Sequence, residues 1–152
     1  MTYEELLTQA DDNGLIVKEK YLLANTGRIK GNRIAIHQDM TQVEKSCILA
    51  EELGHHYTTA GDITDQTDAG NRKQELRARL WAYNAKIGLQ GIIDAYKARR
   101  TSPEEMAEFL DVTPEFLQDA LECYRSKYSP YVSVDNYVIF FEPCLAVMKT
   151  LR

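Results

Sequence analysis

The sequence predicts an α+β domain that is mostly helical with small β-hairpins. Three observations predict it. Helix-capping signatures precede stretches of helical hydrophobic spacing, and two short alternating stretches are each interrupted by a turn dipeptide. The length of 152 residues is enough for one buried core but not for two large domains. We therefore expect a single domain over residues 1–152.

The N-terminal part is predicted to contain one helix and one hairpin. The helix should cover about residues 2–12 and end at Asn13-Gly14. The pattern leaves the conformation of residues 15–17 open. Residues 27–37 have the pattern of a hairpin with Gly31-Asn32 at its turn, and Ile34 and Ile36 alternate inward. The strand that carries these isoleucines could accept a peptide by main-chain hydrogen bonds if it is an edge strand. The alternative is a strand paired on both sides.

A buried helix follows this hairpin. Thr41 and Glu44 form a capping box, so the helix should begin near Gln42. Its apolar residues point around most of its circumference, which is typical of a buried helix. Carboxylates and imidazoles in such a helix are costly unless they are paired or bind a metal. Gly54 costs about 1 kcal/mol relative to alanine in a helix interior, and a glycine there usually allows another backbone to come close.

The candidate chemistry lies in six consecutive residues, Glu51-Glu52-Leu53-Gly54-His55-His56. This is the order of the zinc-protease motif His-Glu-x-x-His with glutamate in place of the first histidine. Residues four apart share a helix face, so Glu51 and His55 could bind one metal while Glu52 acts as the base. A second register uses Glu52 and His56 as ligands, and it would bind metal without a base. The alternative is a solvated helix end with ordinary polar histidines.

A third ligand is expected from the next helix. Asn71 and Gln74 predict a helix start, with Glu75 in the first turn and the helix ending near Gly88. A stripe of small side chains follows at helical spacing and would allow close approach to the Gly54 helix: Ala78, Ala82 and Ala85. Alternatively, Glu75 pairs with Arg79 one turn further on. Three rival ligands lie in the loop between the two helices: Asp62, Asp65 and Asp68.

Three blocks of sequence together resemble the ImmA/IrrE metallo-endopeptidase family. They are residues 47–57 (CILAEELGHHY), residues 73–78 (KQELRA) and Trp81-Ala82. The chain is similar in particular to the short members found in phages and mobile elements of Gram-positive bacteria. The resemblance implies a zincin-like (minimal metallopeptidase) fold, with metal ligands that map to Glu51, His55 and Glu75 and a base that maps to Glu52. It also implies a helix-turn-helix repressor as partner, which members cleave or relieve by binding.

Glutamate at the first ligand position changes the expected metal chemistry. Two carboxylates and one imidazole donate more negative charge than two imidazoles and one carboxylate, so the metal becomes a weaker Lewis acid. The harder ligand set shifts the preference from Zn²⁺ toward Mn²⁺ or another divalent metal. The motif together with the family resemblance implies a metal-dependent endopeptidase acting on a repressor. The alternative is a non-catalytic antirepressor of the same fold that binds the repressor.

The C-terminal part is predicted to contain a helix-turn-helix-like pair of helices at about residues 102–127 and a hairpin at about residues 131–141. Ala107 and Val112 occupy the expected buried positions of the pair. Its second helix begins Pro114-Glu115 and is acidic, and the net charge of the chain is −5. DNA-binding domains normally show a basic surface, so we expect a protein-binding or structural helix pair and no direct DNA binding.

Composition excludes several classes of protein. The acidic N-terminus lacks the apolar core of a signal peptide, and no apolar run approaches the ~18 residues that a membrane span needs. The three cysteines are odd in number and widely spaced, which is typical of reduced cytosolic thiols. We therefore expect no membrane interaction and a cytoplasmic location, and the family resemblance implies that the cytoplasm is that of a bacterial host.

Overall fold

The contacts of the chain group it into two units, residues 1–86 and 87–152. The computed structural model describes residues 1–58 and 68–150, and the side chains of all of these except 68 and 69. Helices and small sheets occur in both units, which confirms the α+β prediction. The single-domain organisation stays a prediction, and each unit is described by itself below.

The described residues of the first unit form three helices and three strands: α1 (Tyr3–Asp12), β1 (Ile16–Lys20), β2 (Gly27–Lys30), β3 (Arg33–His37), α2 (Gln42–Thr58) and α3 (Asp68–Lys86). The cap of α1 is a full capping box, because the Thr2 hydroxyl accepts from the Glu5 amide and the Glu5 carboxylate accepts from the Thr2 amide. The Glu44 amide donates to the Thr41 hydroxyl at 3.2 Å and starts α2. Both helix starts agree with the sequence.

The predicted hairpin forms between β2 and β3, with Gly31 at a φ of +59° in its turn. Ile34 and Ile36 are buried, as the alternation predicts. Of the two alternatives for residues 34–36, the strand paired on both sides is the one that forms, because β1 pairs with β3 in parallel on the side opposite β2. Sequence reasoning missed β1 because most of its residues are exposed, so it lacks a hydrophobic alternation. Only its long-range pairing with β3 makes it a strand.

A hydrogen-bonded carboxylate joins three of these elements on the helix-facing side of the sheet. Glu19 of β1 accepts from the Tyr3 hydroxyl of α1 at 2.9 Å and lies 3.2 Å from the Lys45 ammonium of α2. The hydrogen bond from Tyr3 is the main reason that the pKa of Glu19 lies below its usual value, and Lys45 lowers that pKa further. Lys45 is itself nearly buried, so this pair satisfies a charge that would otherwise be costly.

Helices α2 and α3 pack at backbone contact. A Cβ placed on Gly54 of α2 would overlap the carbonyl oxygen of Ala78 and stand 3.0 Å from its carbonyl carbon. Ala78 and Ala82 are fully buried, so the small-residue stripe does lie in an interface. The predicted start of α3 at Asn71 is wrong, since the helix already includes Asp68. Asparagine inside a helix costs well under ~1 kcal/mol relative to alanine, so a cap-like pattern alone does not end a helix.

The described residues of the second unit form three helices and an antiparallel sheet: α4 (Gly88–Lys97), α5 (Pro103–Leu110), α6 (Pro114–Tyr128), β4 (Tyr131–Val134), β5 (Tyr137–Phe140) and β6 (Ala146–Lys149). The hydroxyls of Ser102 and Thr113 cap α5 and α6, and proline occupies the first turn of each. Ala107 and Val112 are buried as predicted. The hairpin β4–β5 forms as predicted, and β6 extends it to three strands.

We predict that Gly54→Ala destabilises the protein by about 1–3 kcal/mol, because the added methyl group has to push two helix backbones apart. The matched control is Gly91→Ala in α4, where the nearest atom to the new Cβ is the flexible end of Leu110 at 3.1 Å. Both changes raise helix propensity by about 1 kcal/mol, so only the packing differs. Denaturant unfolding measures both variants. Equal stability of the two would show that backbone contact at Gly54 is unimportant.

Candidate active site

The close packing of α2 and α3 brings a histidine and a carboxylate together. The Nε2 atom of His55 on α2 lies 3.5 Å from Oε2 of Glu75 on α3. The two side chains keep 32% and 45% of their surface exposed. Solvent, a metal ion or a substrate can therefore reach the pair. Because the two residues are 20 positions apart in sequence, their contact depends on the helix packing at Gly54.

Glu75 also pairs within its own helix. The guanidinium Nε of Arg79 donates to Oε1 of Glu75 at 3.1 Å. Of the two alternatives for Glu75 that the sequence leaves open, the pair with Arg79 is therefore present, and the other carboxylate oxygen faces His55. The metal-ligand role stays a prediction. The Arg79 side chain is 57% exposed, and an exposed i,i+4 pair contributes only about 0.3–0.5 kcal/mol. A ligand that displaces Arg79 from Glu75 therefore loses only this small free energy of the ion pair.

The carboxyl group of Glu52 has the strongest electrostatic perturbation at this site. Burial raises its pKa to about 7, and the negative charges of Glu51 and Glu75 add to the effect. A carboxyl group that titrates near neutral pH exchanges a proton readily under physiological conditions. This is the property that a general base needs in order to accept a proton and later return it.

The predicted ligands Glu51, His55 and Glu75 supply donors that suit a divalent metal. An imidazole nitrogen and carboxylate oxygens fit zinc, and the two carboxylates also suit manganese. Glu51 is half-buried on α2, close enough to raise the pKa of Glu52. Across residues 1–58 and 68–150, no group of three His, Cys, Asp or Glu side chains stands ready to hold an ion. The ligand set therefore stays a prediction.

The other proposed ligands are placed differently. Asp62 and Asp65 lie outside the described residues, as does the side chain of Asp68. The ring of His56 lies 5.2 Å from that of Tyr57. Of the two motif histidines, His55 is the one described in contact with a carboxylate of α3, which favours the first ligand register over the second.

Sequence reasoning predicted the strand β2 but not its position over this site. A Cβ on Gly27 at the start of β2 would overlap the Ile48 side chain and lie 3.2 Å from Oε1 of Glu52. The strand therefore passes directly over the Glu52 carboxyl group and contributes to its burial. Since β2 is at one end of the strand order β1-β3-β2, the edge nearest the site belongs to β2 and not to β3. A glycine at a strand start is the only local signal of such a close approach.

Aromatic packing holds the end of α2 in place. The Tyr57 ring lies 4.9 Å from the Trp81 ring of α3, and the Gln9 amide of α1 donates to the Tyr57 hydroxyl at 3.1 Å. Tyr57 thereby connects three helices two residues beyond His55. Such contacts restrict the orientation of the helix turn that carries the histidine.

A comparison with protein-family models identifies the family of the chain. The site combines histidine and glutamate side chains on two packed helices of an α+β fold. The family model of peptidase M78, described as the IrrE N-terminal-like domain, matches residues 8–122. The chain therefore belongs to the peptidase M78 family, which confirms the resemblance seen in its sequence. Membership implies a divalent metal.

No curated relative matches the chain with significant similarity. No described helix is long and apolar enough to cross a membrane.

The raised pKa of Glu52 predicts a pH-dependent stability of the metal-free protein. A folded pKa of about 7 lies above the unfolded value of 4.5, so the folded state binds the proton more tightly. The resulting stability is fully present below pH 4.5 and is lost as pH rises through about 7. We expect a loss of roughly 1–2 kcal/mol between these values, discounted for the solvent that still reaches this half-buried group.

Denaturant unfolding of chelator-treated protein across this pH range measures the effect. Glu52→Gln keeps the shape of the side chain but cannot titrate, so its stability should change less between pH 5 and 8. Identical pH profiles for the variant and the wild type would contradict the assignment of the raised pKa to Glu52.

Proposed function

We propose that the protein is a metal-dependent endopeptidase that acts on a helix-turn-helix repressor of a phage or mobile element. The observation that carries this proposal is the meeting of His55 and Glu75 at 3.5 Å beside Glu52, whose pKa is about 7. Family membership supports metallopeptidase chemistry. Enzymatic activity, the repressor and a bacterial host cytoplasm are parts of the proposal, and so is the absence of direct DNA binding.

In this proposal Glu51, His55 and Glu75 hold the metal, which is Zn²⁺ or, given two carboxylates, Mn²⁺ or another divalent ion. The bound ion would supply a Lewis acid for the scissile carbonyl group. Its positive charge would also lower the pKa of Glu52 from the metal-free value and keep the carboxylate ionised at neutral pH. Glu52 then accepts a proton from the attacking water and donates it to the departing amine nitrogen.

Substrate binding is proposed at the edge of β2. A peptide that adds to this strand by main-chain hydrogen bonds would run alongside Gly27, next to Glu52. This replaces the edge at residues 34–36, which is paired on both sides. The absence of a side chain at Gly27 keeps the strand backbone close to the proposed base, so a bound peptide would lie near it as well.

A non-catalytic antirepressor is the second candidate. The observation that favours it is the pair between Arg79 and Glu75, which already occupies one oxygen of a proposed ligand. Glutamate in place of the first motif histidine points in the same direction, since it weakens the Lewis acid. In this case the protein would relieve the repressor by binding alone.

We predict that the wild type binds one divalent ion and that His55→Gln or Glu75→Gln weakens this binding at least roughly tenfold. Two controls isolate the site. His56→Gln should bind normally, and Arg79→Gln should bind as well or better because it releases Glu75. Calorimetric titrations with zinc and manganese measure all five proteins. Loss of binding in His56→Gln with retention in His55→Gln would select the second register, and no binding to the wild type would refute the site.

The catalytic prediction concerns Glu52→Gln. We expect this variant to keep metal and repressor binding but to cleave the repressor about 10²–10⁴-fold more slowly, because an amide cannot accept the proton of water. Co-expression with the repressor encoded nearby, followed by mass spectrometry, is the assay. The matched control is Glu44→Gln in the exposed first turn of the same helix. Normal cleavage by Glu52→Gln would refute its role, and binding without cleavage by the wild type would establish the antirepressor.

A further inference from the structure

Five cations share the outer face of the sheet β1-β3-β2. They are Lys18 and Lys20 of β1, Arg28 and Lys30 of β2, and Arg33 of β3, and we call this set the basic sheet face. All five are exposed. The strand register explains why they share one face, because residues two apart on a strand point the same way and paired residues of neighbouring strands match. The opposite face carries the buried Ile34 and Ile36.

The basic sheet face has no acidic side chain of its own. Glu19, the only carboxylate of the three strands, points to the helix side, where Tyr3 and Lys45 engage it. Within the described part of the chain, no ion pair includes any of the five cations. The chain has a net charge of −5, so acidic groups are abundant, yet none of those described neutralises this face.

The arrangement of the cations is unfavourable for the folded chain alone. Lys30 and Arg33 are register partners on adjacent antiparallel strands, where like charges destabilise a sheet. Lys18 and Arg28 flank Ala35 from either side, about 10 Å apart across two strand spacings. Since alanine fills little of the space between them, the face is concave there, with a cavity of about 190 Å³ whose lining includes Ile16 and Ala35.

We propose that the basic sheet face binds an acidic segment of a partner protein. A glutamate or aspartate side chain fits between Lys18 and Arg28 over Ala35, and the apolar lining packs against its methylene groups. A second carboxylate along the segment reaches Lys30 and Arg33. The inference goes beyond the proposed peptidase activity, because it needs neither a metal nor Glu52.

An acidic protein segment fits better than nucleic acid for three reasons. The described lining of the cavity includes no aromatic ring on which a base could stack. Five cations are fewer than the 6–10 phosphate contacts of a typical duplex-binding protein. The net charge of −5 includes these five cations, so the residues outside the face together carry a more negative charge than the whole chain. A polyanion that extends beyond the face therefore meets repulsion.

Fluorescence anisotropy with a labelled short polyglutamate peptide tests the proposal on the full-length, chelator-treated protein. We expect saturable binding that weakens with salt. The double variant Lys18→Gln/Arg28→Gln should bind roughly tenfold more weakly, which is the loss of two exposed charge pairs. The matched control Lys73→Gln/Arg77→Gln removes one lysine and one arginine from an exposed part of α3 and should bind like the wild type.

A further variant tests the position of the bound carboxylate. Ala35→Glu places a carboxylate of the chain itself between Lys18 and Arg28, so it should abolish peptide binding while it raises the unfolding temperature. No peptide binding by the wild type, an equal loss in the control variant, or tighter binding of single-stranded or duplex DNA oligonucleotides than of the peptide would each overturn the proposal. Cleavage of the repressor would not support the binding of an acidic segment, and a lack of peptide binding would not refute the peptidase activity. The experiment therefore distinguishes the failure of one proposal from the failure of the other.

Discussion

The backbone contact between Gly54 and Ala78 is the constraint on which the candidate site depends. Only a residue without a side chain allows α2 to approach the carbonyl group of Ala78 so closely. The buried alanines of α3 extend this contact along the helix. As a consequence, a histidine at position 55 and a carboxylate at position 75 meet at 3.5 Å, which neither helix could achieve alone. Tyr57 and Trp81 pack at the same interface and fix the last turns of α2 relative to α3.

This packing also concentrates negative charge. Glu51 and Glu52 are neighbours on α2, and α3 adds Glu75, while β2 covers Glu52 through Gly27. Burial and two like charges raise the pKa of Glu52 to about 7. Arg79 offsets part of the charge through its ion pair with Glu75. In the proposed site, the charge of a divalent metal would offset the negative charge that Glu51 and Glu75 place beside Glu52. The same electrostatics leave metal-free protein less stable at alkaline pH.

The charged residues on the two faces of the sheet β1-β3-β2 have different surroundings. The inner face uses Glu19 to tie β1 to Tyr3 and Lys45, so its charges are satisfied inside the unit. The outer face holds five exposed cations, none of which is paired within the described residues. Both faces come from the same strands, and they differ because the side chains of a strand alternate. One face therefore stabilises the fold, and the other is available to a partner.

The sequence by itself determined the elements whose signals are local. The helix starts near Thr2 and Thr41, the hairpin turn at Gly31 and the pair of helices at residues 102–127 needed only neighbouring residues, and so did the motif spacing of Glu51 and His55. Tertiary structure decided what depends on distant partners. It made residues 16–20 a parallel strand, paired β3 on both sides so that β2 lies at one end of the sheet, and began α3 before Asn71, at Asp68. The pKa of Glu52 belongs to this second group, because burial under β2 and the charge of Glu75 arise only when separate elements pack together.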